Sequence, residues 1–184
     1  MKRYLGLPKG KVRIVPYHSA WRQLFEKEKK KIDKTFGQRV EGIEHIGSTA
    51  IPGMPAKPVI HILVAIKKLS DAPQFTLLLK KIGYVHRELP FKSGRVFFAK
   101  GPENRRTFHL SLVAANSAEW RDSLLFCEYL RTHKDAALEY ANLKISLAKK
   151  FANDRNAYTA AKQTFIRNII REAKRKSPRH RSAW

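Results

Sequence analysis

The chain has 184 residues, 43% of them hydrophobic and 29% charged, the make-up of one soluble globular domain rather than of a disordered chain. Its 38 Lys and Arg against 15 Asp and Glu leave a formal charge of +23, a field that attracts polyanions, nucleic acids first among them. The longest apolar stretch, Val59 to Ile66, is interrupted by His61 and too short to span a bilayer, and the basic start Met1 to Pro8 has no apolar segment behind it to make a secretory signal. Cys127 is the single cysteine, which excludes an intrachain disulfide and suits a cytoplasmic location.

In chain order, Val12 to Val15 reads as a short strand ended by Pro16. Ser19 then caps a helix with Trp21, Leu24, Phe25, Ile32 and Phe36 on one side and the run Lys27 to Lys31 on its wet face. Gly37 offers the stop. Val40 to Ile46 is a strand running into Gly47-Ser48-Thr49. After a turn at Pro52-Gly53, Pro58 to Ile66 is a strand covered on both faces. Ser70 caps a helix to Ile82, stopped by Gly83. Tyr84–His86, Arg95–Ala99 and Thr107–Val113 are further strands, with turns at Ser93-Gly94 and Gly101-Pro102.

Beyond Asn116 the pattern is helical, with three helices starting near Ser117, Lys134 and Asn156. Their apolar stripes are Trp120/Leu124/Cys127, Leu138/Ala141/Ile145/Ala148 and Tyr158/Ala161/Phe165/Ile169. Arg171 to Trp184 reads as a frayed basic tail. The fold expected is α+β, with a sheet-bearing core over residues 1–115, C-terminal helices packed on it over 116–173, and a basic tail over 174–184.

The loop Glu44-His45-Ile46-Gly47-Ser48-Thr49-Ala50-Ile51-Pro52-Gly53, followed by Ala56-Lys57-Pro58, carries the chemistry. A strand ending in Gly-Ser lets a phosphate approach the backbone, where N–H groups and the Ser48 and Thr49 hydroxyls hold anions. Lys57 adds charge to the same pocket. The bland alternative is a capped turn between two strands.

The wider pattern His45 to Gly53 with Ala56-Lys57-Pro58-Val59-Ile60 resembles the signature of the GrpB family. Further matches are Val15-Pro16-Tyr17, Gly83-Tyr84, Arg106-Thr107, Ser117 to Asp122, Tyr129-Leu130-Arg131, Tyr140 to Lys144 and Tyr158 to Lys162. The resemblance runs from Val12 to Ala173. It implies a nucleotidyltransferase-like mixed β-sheet with flanking helices and a C-terminal helical segment. It also implies a nucleotide-binding set of His45, Gly47, Ser48, Thr49, Lys57 and Arg106, with carboxylates on the neighbouring strands holding Mg²⁺ or Mn²⁺.

The sequence departs from that signature at the metal site. His61 stands where the family carries an Asp, no acidic residue occurs from Lys57 to Ser70, and Phe108-His109-Leu110-Ser111 keeps one of the family's two histidines. Phe126-Cys127-Glu128-Tyr129 replaces Phe-Arg-Asp-Tyr. Imidazole suits zinc or nickel better than Mg²⁺. His45, His61 and His109 on adjacent strands are candidate transition-metal ligands, against the commoner reading of three hydrogen-bonded or stacking histidines. Glu41 and Glu44 do not replace the Asp. Arg105 and Arg106 are phosphate contacts or a surface turn pair. Trp21, Phe25, Trp120 and Tyr140 read as core rather than base-stacking platforms.

Three functions remain open. One is a protein that binds a nucleoside triphosphate or RNA in a degenerate site, His61 and His109 having no assigned catalytic role. Another is an active Mg²⁺- or Mn²⁺-dependent nucleotidyltransferase with an RNA or other acceptor. The third is an interaction scaffold. None involves a membrane.

Overall fold

The computed structural model describes residues 5–88 and 94–176. Ser93 of the expected turn and the tail beyond position 176 lie outside the described residues. Helix α1 (Ala20–Phe36) leads to strand β1 (Val40–Ile46), β2 (Ile60–Ile66), α2 (Ala72–Lys81), β3 (Tyr84–Arg87), β4 (Arg95–Lys100) and β5 (Phe108–Ala114). Four helices follow: α3 (Ala118–Thr132), α4 (Lys134–Lys150), α5 (Arg155–Ala161) and α6 (Gln163–Lys176). The architecture is α+β.

The five strands form one sheet in the order β1-β2-β5-β4-β3. Only β2 and β5 run parallel; the other neighbours are antiparallel, so the sheet is mixed. In β2 six of seven residues are buried and the seventh, His61, is partly buried, which is why its sequence runs nearly all apolar rather than alternating. Ile43, Ile60, Ile62, Val64, Leu110 and Leu112 point to one side and pack against α1 and α2 through Trp21, Phe25, Phe36, Phe75 and Leu79. A second apolar cluster joins Ile51 and Met54 of the β1–β2 connection to Phe126, Cys127 and Leu130 of α3, Tyr140 and Ala141 of α4, and Ile169 of α6.

Several elements differ from expectation. Val12–Val15 forms no strand; only an isolated bridge pairs Val15 with Ala56, because the segment's remaining backbone bonds go elsewhere, Val12 N–H to Ala152 O at 2.8 Å among them. Ser19 makes no side-chain cap. His18 serves instead, its Nδ1 accepting from Ala20 N–H at 3.1 Å. Asp71, not Ser70, occupies the N-cap of α2. The Lys27–Lys31 run is not uniformly wet, since Glu28 within it is buried and pairs with Lys100 at 2.5 Å. In α4, Leu138 and Ile145 are exposed, and the buried face is Tyr140, Ala141 and Lys144. The third C-terminal helix is two, divided at Lys162, and α6 stays helical to Lys176, past the expected start of the tail.

Candidate functional site

Strand β1 ends at Ile46 and is followed by Gly47, whose φ of 70° and ψ of −171° lie where glycine is at ease and other residues are strained. The chain then tightens into a 3-10 turn, Ser48–Ala50, with Ala50 N–H donating to Gly47 O at 3.0 Å. Helices α3 and α4 fix this turn from outside. Arg131 donates to Ala50 O at 3.1 Å, Gly47 N–H donates to Cys127 Sγ at 3.2 Å, and Lys144 Nζ donates to Pro55 O. Cys127, one of the departures from the family signature, therefore occupies the Gly47 amide that the sequence offered to a phosphate.

Between this turn and the helices lies a cleft of about 190 Å³. The sheet side supplies Gly47, Ser48, Thr49, Lys57 and His61; the helical side supplies Tyr140 and Lys144 from α4, then Arg155, Tyr158 and Thr159 from α5 and Lys162 just after it. Ser48 and Tyr140 share a hydrogen bond. Lys57 and Lys162 lie over the Tyr158 ring at 5.1 and 4.3 Å, and Lys144 over Tyr140 at 4.7 Å, contacts that ease a cation's loss of water without neutralising it.

Among the described residues no acidic side chain lines the cleft, and none of Lys57, Lys144, Arg155 or Lys162 forms an ion pair. Burial, then repulsion from Lys162 and Arg155, lowers the Lys57 amine to about 7. Burial and Lys162 lower Lys144 to about 7, and burial with Arg155 lowers Lys162 to about 8. Arg155 is lowered by burial and by Arg106. Burial leads in each of these shifts, and the repulsion of neighbouring basic groups without a counter-charge adds to it.

The histidines divide. His61 and His109 are register partners on parallel β2 and β5, their rings 4.9 Å apart and nearly perpendicular. Burial is the main cause holding both imidazoles low, His109 at about 3. His45 pairs with Ile62, the neighbour of His61, so it projects from the opposite face of the sheet. There it stacks on Phe25 at 4.7 Å and its Nε2 meets Thr49 Oγ1 at 2.9 Å. The three cannot converge on one ion, and the described residues contain no group of three or more His, Cys, Asp or Glu able to hold a metal. Glu44 is exposed at the rim of a separate cavity of about 930 Å³ that also includes His45. Mg²⁺ or Mn²⁺ requires hard, anionic oxygen donors; the cleft offers imidazole and cations, and does not fit either ion.

Of the residues expected to bind nucleotide, Gly47, Ser48, Thr49 and Lys57 line the cleft together, while His45 does not. Arg106 is buried but turned into its own hairpin, donating to Gly101 O and reaching Glu103 at 3.1 Å. The sequence reading missed Lys144, Arg155, Tyr158 and Lys162 as site residues and took Tyr140 as core alone. A signal existed: Tyr140/Lys144 and Tyr158/Lys162 each set a Tyr four residues before a Lys, one turn apart on a helix face.

Comparison with known proteins identifies the family and the fold. The GrpB protein family matches residues 11–172. The chain is 37% identical over 172 residues to glutamate-rich protein GrpB of Alkalihalophilus pseudofirmus, covering 91% of this chain and 99% of that one. It is also 37% identical over 168 residues to UPF0157 protein YqkA of Bacillus subtilis, covering 91% of this chain but about half, 49%, of that longer relative. The crystal structure of conserved protein GrpB from Enterococcus faecalis superposes with a TM-score of 0.81 at 32% identity, over 89% of this chain and 98% of that one. The poly(U) polymerase Cid1, in its Mg 3′-dATP-bound structure, superposes with a TM-score of 0.53 at 13% identity, over 80% of this chain and 49% of Cid1, a likeness of fold alone. The chain belongs to the GrpB family, in a fold it shares with the poly(U) polymerase Cid1.

Proposed function

We propose that this protein holds a nucleotide, or the phosphate-bearing end of an RNA, in the cleft between the Gly47–Ser48 turn and helices α4 and α5, without transferring it. The observation that carries this reading is the lining itself: four basic side chains without a carboxylate, beside a Gly-Ser turn and two tyrosines. Such a site is attractive to phosphate and unsuited to the two-metal stabilisation of a phosphoryl transfer. The fold shared with a nucleotide-bound polymerase supports the class of ligand, and the overall charge of +23 supports RNA as one source of it. Exposed Arg167 and Arg171 on α6 add to that charge.

The test is filter binding with labelled ATP and with a short single-stranded RNA. Affinity is expected to fall tenfold or more between roughly 50 and 200 mM salt, as neutralised phosphates release their counterions. Lys57→Ala is expected to weaken both ligands. Binding that stays flat across that range and ignores Lys57→Ala contradicts the proposal.

A further inference from the structure

Four basic side chains surround a space of about 190 Å³, smaller than the roughly 300 Å³ at which pockets for whole drug-sized ligands begin. A chain of two or three phosphates suits that space; a base and sugar in addition do not. The cations reach it from three parts of the chain: Lys57 from the β1–β2 connection, Lys144 from α4, and Arg155 and Lys162 from α5 and its end. Lys144 uses one N–H on Pro55 O and keeps two to give. Ser48 and Tyr140 already meet each other, which leaves the pair one O–H to give.

We propose that the cleft takes the di- or triphosphate chain of its ligand as a metal-free anion, neutralised by Lys57, Lys144, Arg155 and Lys162, with base and sugar left outside. This rests on the phosphate-binding reading above and adds two features to it. Magnesium competes with the protein for the ligand instead of bridging the two, because a complexed phosphate chain brings less negative charge to a site that has no use for a cation. The four bases are not distinguished, because none enters.

The experiment is titration calorimetry of the full chain in EDTA, then in excess Mg²⁺ at matched ionic strength. The probes are ATP, GTP, CTP, UTP, inorganic tripolyphosphate, and one short RNA bearing either a 5′-triphosphate or a 5′-hydroxyl. In EDTA the four nucleotides and tripolyphosphate are expected to bind within about threefold of one another, since the phosphates carry the contacts. Excess Mg²⁺ is expected to weaken each by about tenfold. The triphosphorylated RNA binding more tightly than its hydroxyl twin identifies RNA ends as a source of the same chemistry; equal binding of the two limits the site to free polyphosphates.

A nucleotide that binds only with Mg²⁺, or a preference for one base beyond about tenfold, overturns this inference and leaves the binding reading standing. No binding by any probe overturns both. Lys162→Gln separates a ligand contact from a structural role. It is expected to weaken tripolyphosphate about tenfold while raising the thermal midpoint of the empty protein, because it removes a like charge from a crowded set. Unchanged affinity, or a midpoint that falls with it, overturns the assignment of that amine.

Discussion

His45 and His61 sit on neighbouring strands, yet their side chains answer to different surroundings. His61 faces the cations of the cleft, and His45 is stacked between the sheet and α1. Burial and then Arg131 lower His45 to about 3 from its ordinary 6.5. A group depressed in the folded state contributes stability that is whole above its unfolded value and is lost as pH falls toward the folded value. The window here is therefore pH 6.5 down to about 3. His45→Gln keeps a partner for Thr49 and cannot take up the proton. Denaturant unfolding at pH 7 and pH 4 is expected to show the wild type losing on the order of 3 kcal/mol more than the variant across that interval. Equal losses would show that His45 is not held neutral. At this scale the sequence revealed Gly47, Ser48 and Lys57, which are close together in the chain. Arg155 and Lys162 lie about a hundred residues further on, and only the docking of α4 and α5 brings them to the same cleft.

Helix α3 is the element on which the turn depends, and its approach to the sheet is set at Gly42. An added Cβ there would come within 2.8 Å of the Trp120 ring, closer than packed atoms tolerate. Gly42→Ala is expected to destabilise the protein by about 1–3 kcal/mol and to displace Trp120, which intrinsic fluorescence reports. Wild-type stability and an unshifted emission would contradict this account of how α3 is seated. Elements with strong patterns were legible: β1 falls exactly where alternation placed it, and α1 buries the five apolar residues expected of it. What failed were choices decided by contacts outside the element. Leu138 and Ile145 are the more apolar side of α4, but Tyr140 and Lys144 are buried because they meet Ser48 and Pro55. Lys144 and Glu28 break the polar-outside pattern by finding partners, a carbonyl in one case and Lys100 in the other, as buried charge requires.

At the scale of the molecule, the parallel pairing of β2 with β5 puts His61 and His109 side by side, and the C-terminal helices close over that end of the sheet with lysine, arginine and tyrosine. The order of strands was not legible, because β5 returns to β2 across an intervening helix and two strands, a long-range pairing that periodicity does not encode. The family resemblance, in contrast, was legible almost end to end. The central claim is that this arrangement retains a phosphate ligand and transfers nothing. The measurement is incubation of the protein, beside His61→Asp, with labelled nucleoside triphosphates and RNA, in EDTA and again in Mg²⁺ or Mn²⁺, scoring retained label in the first and transferred label in the second. The account predicts label retained by the wild type on a filter and none joined to RNA. Metal-dependent transfer by the wild type, abolished by Ser48→Ala, would contradict it and make His61 part of a working active site.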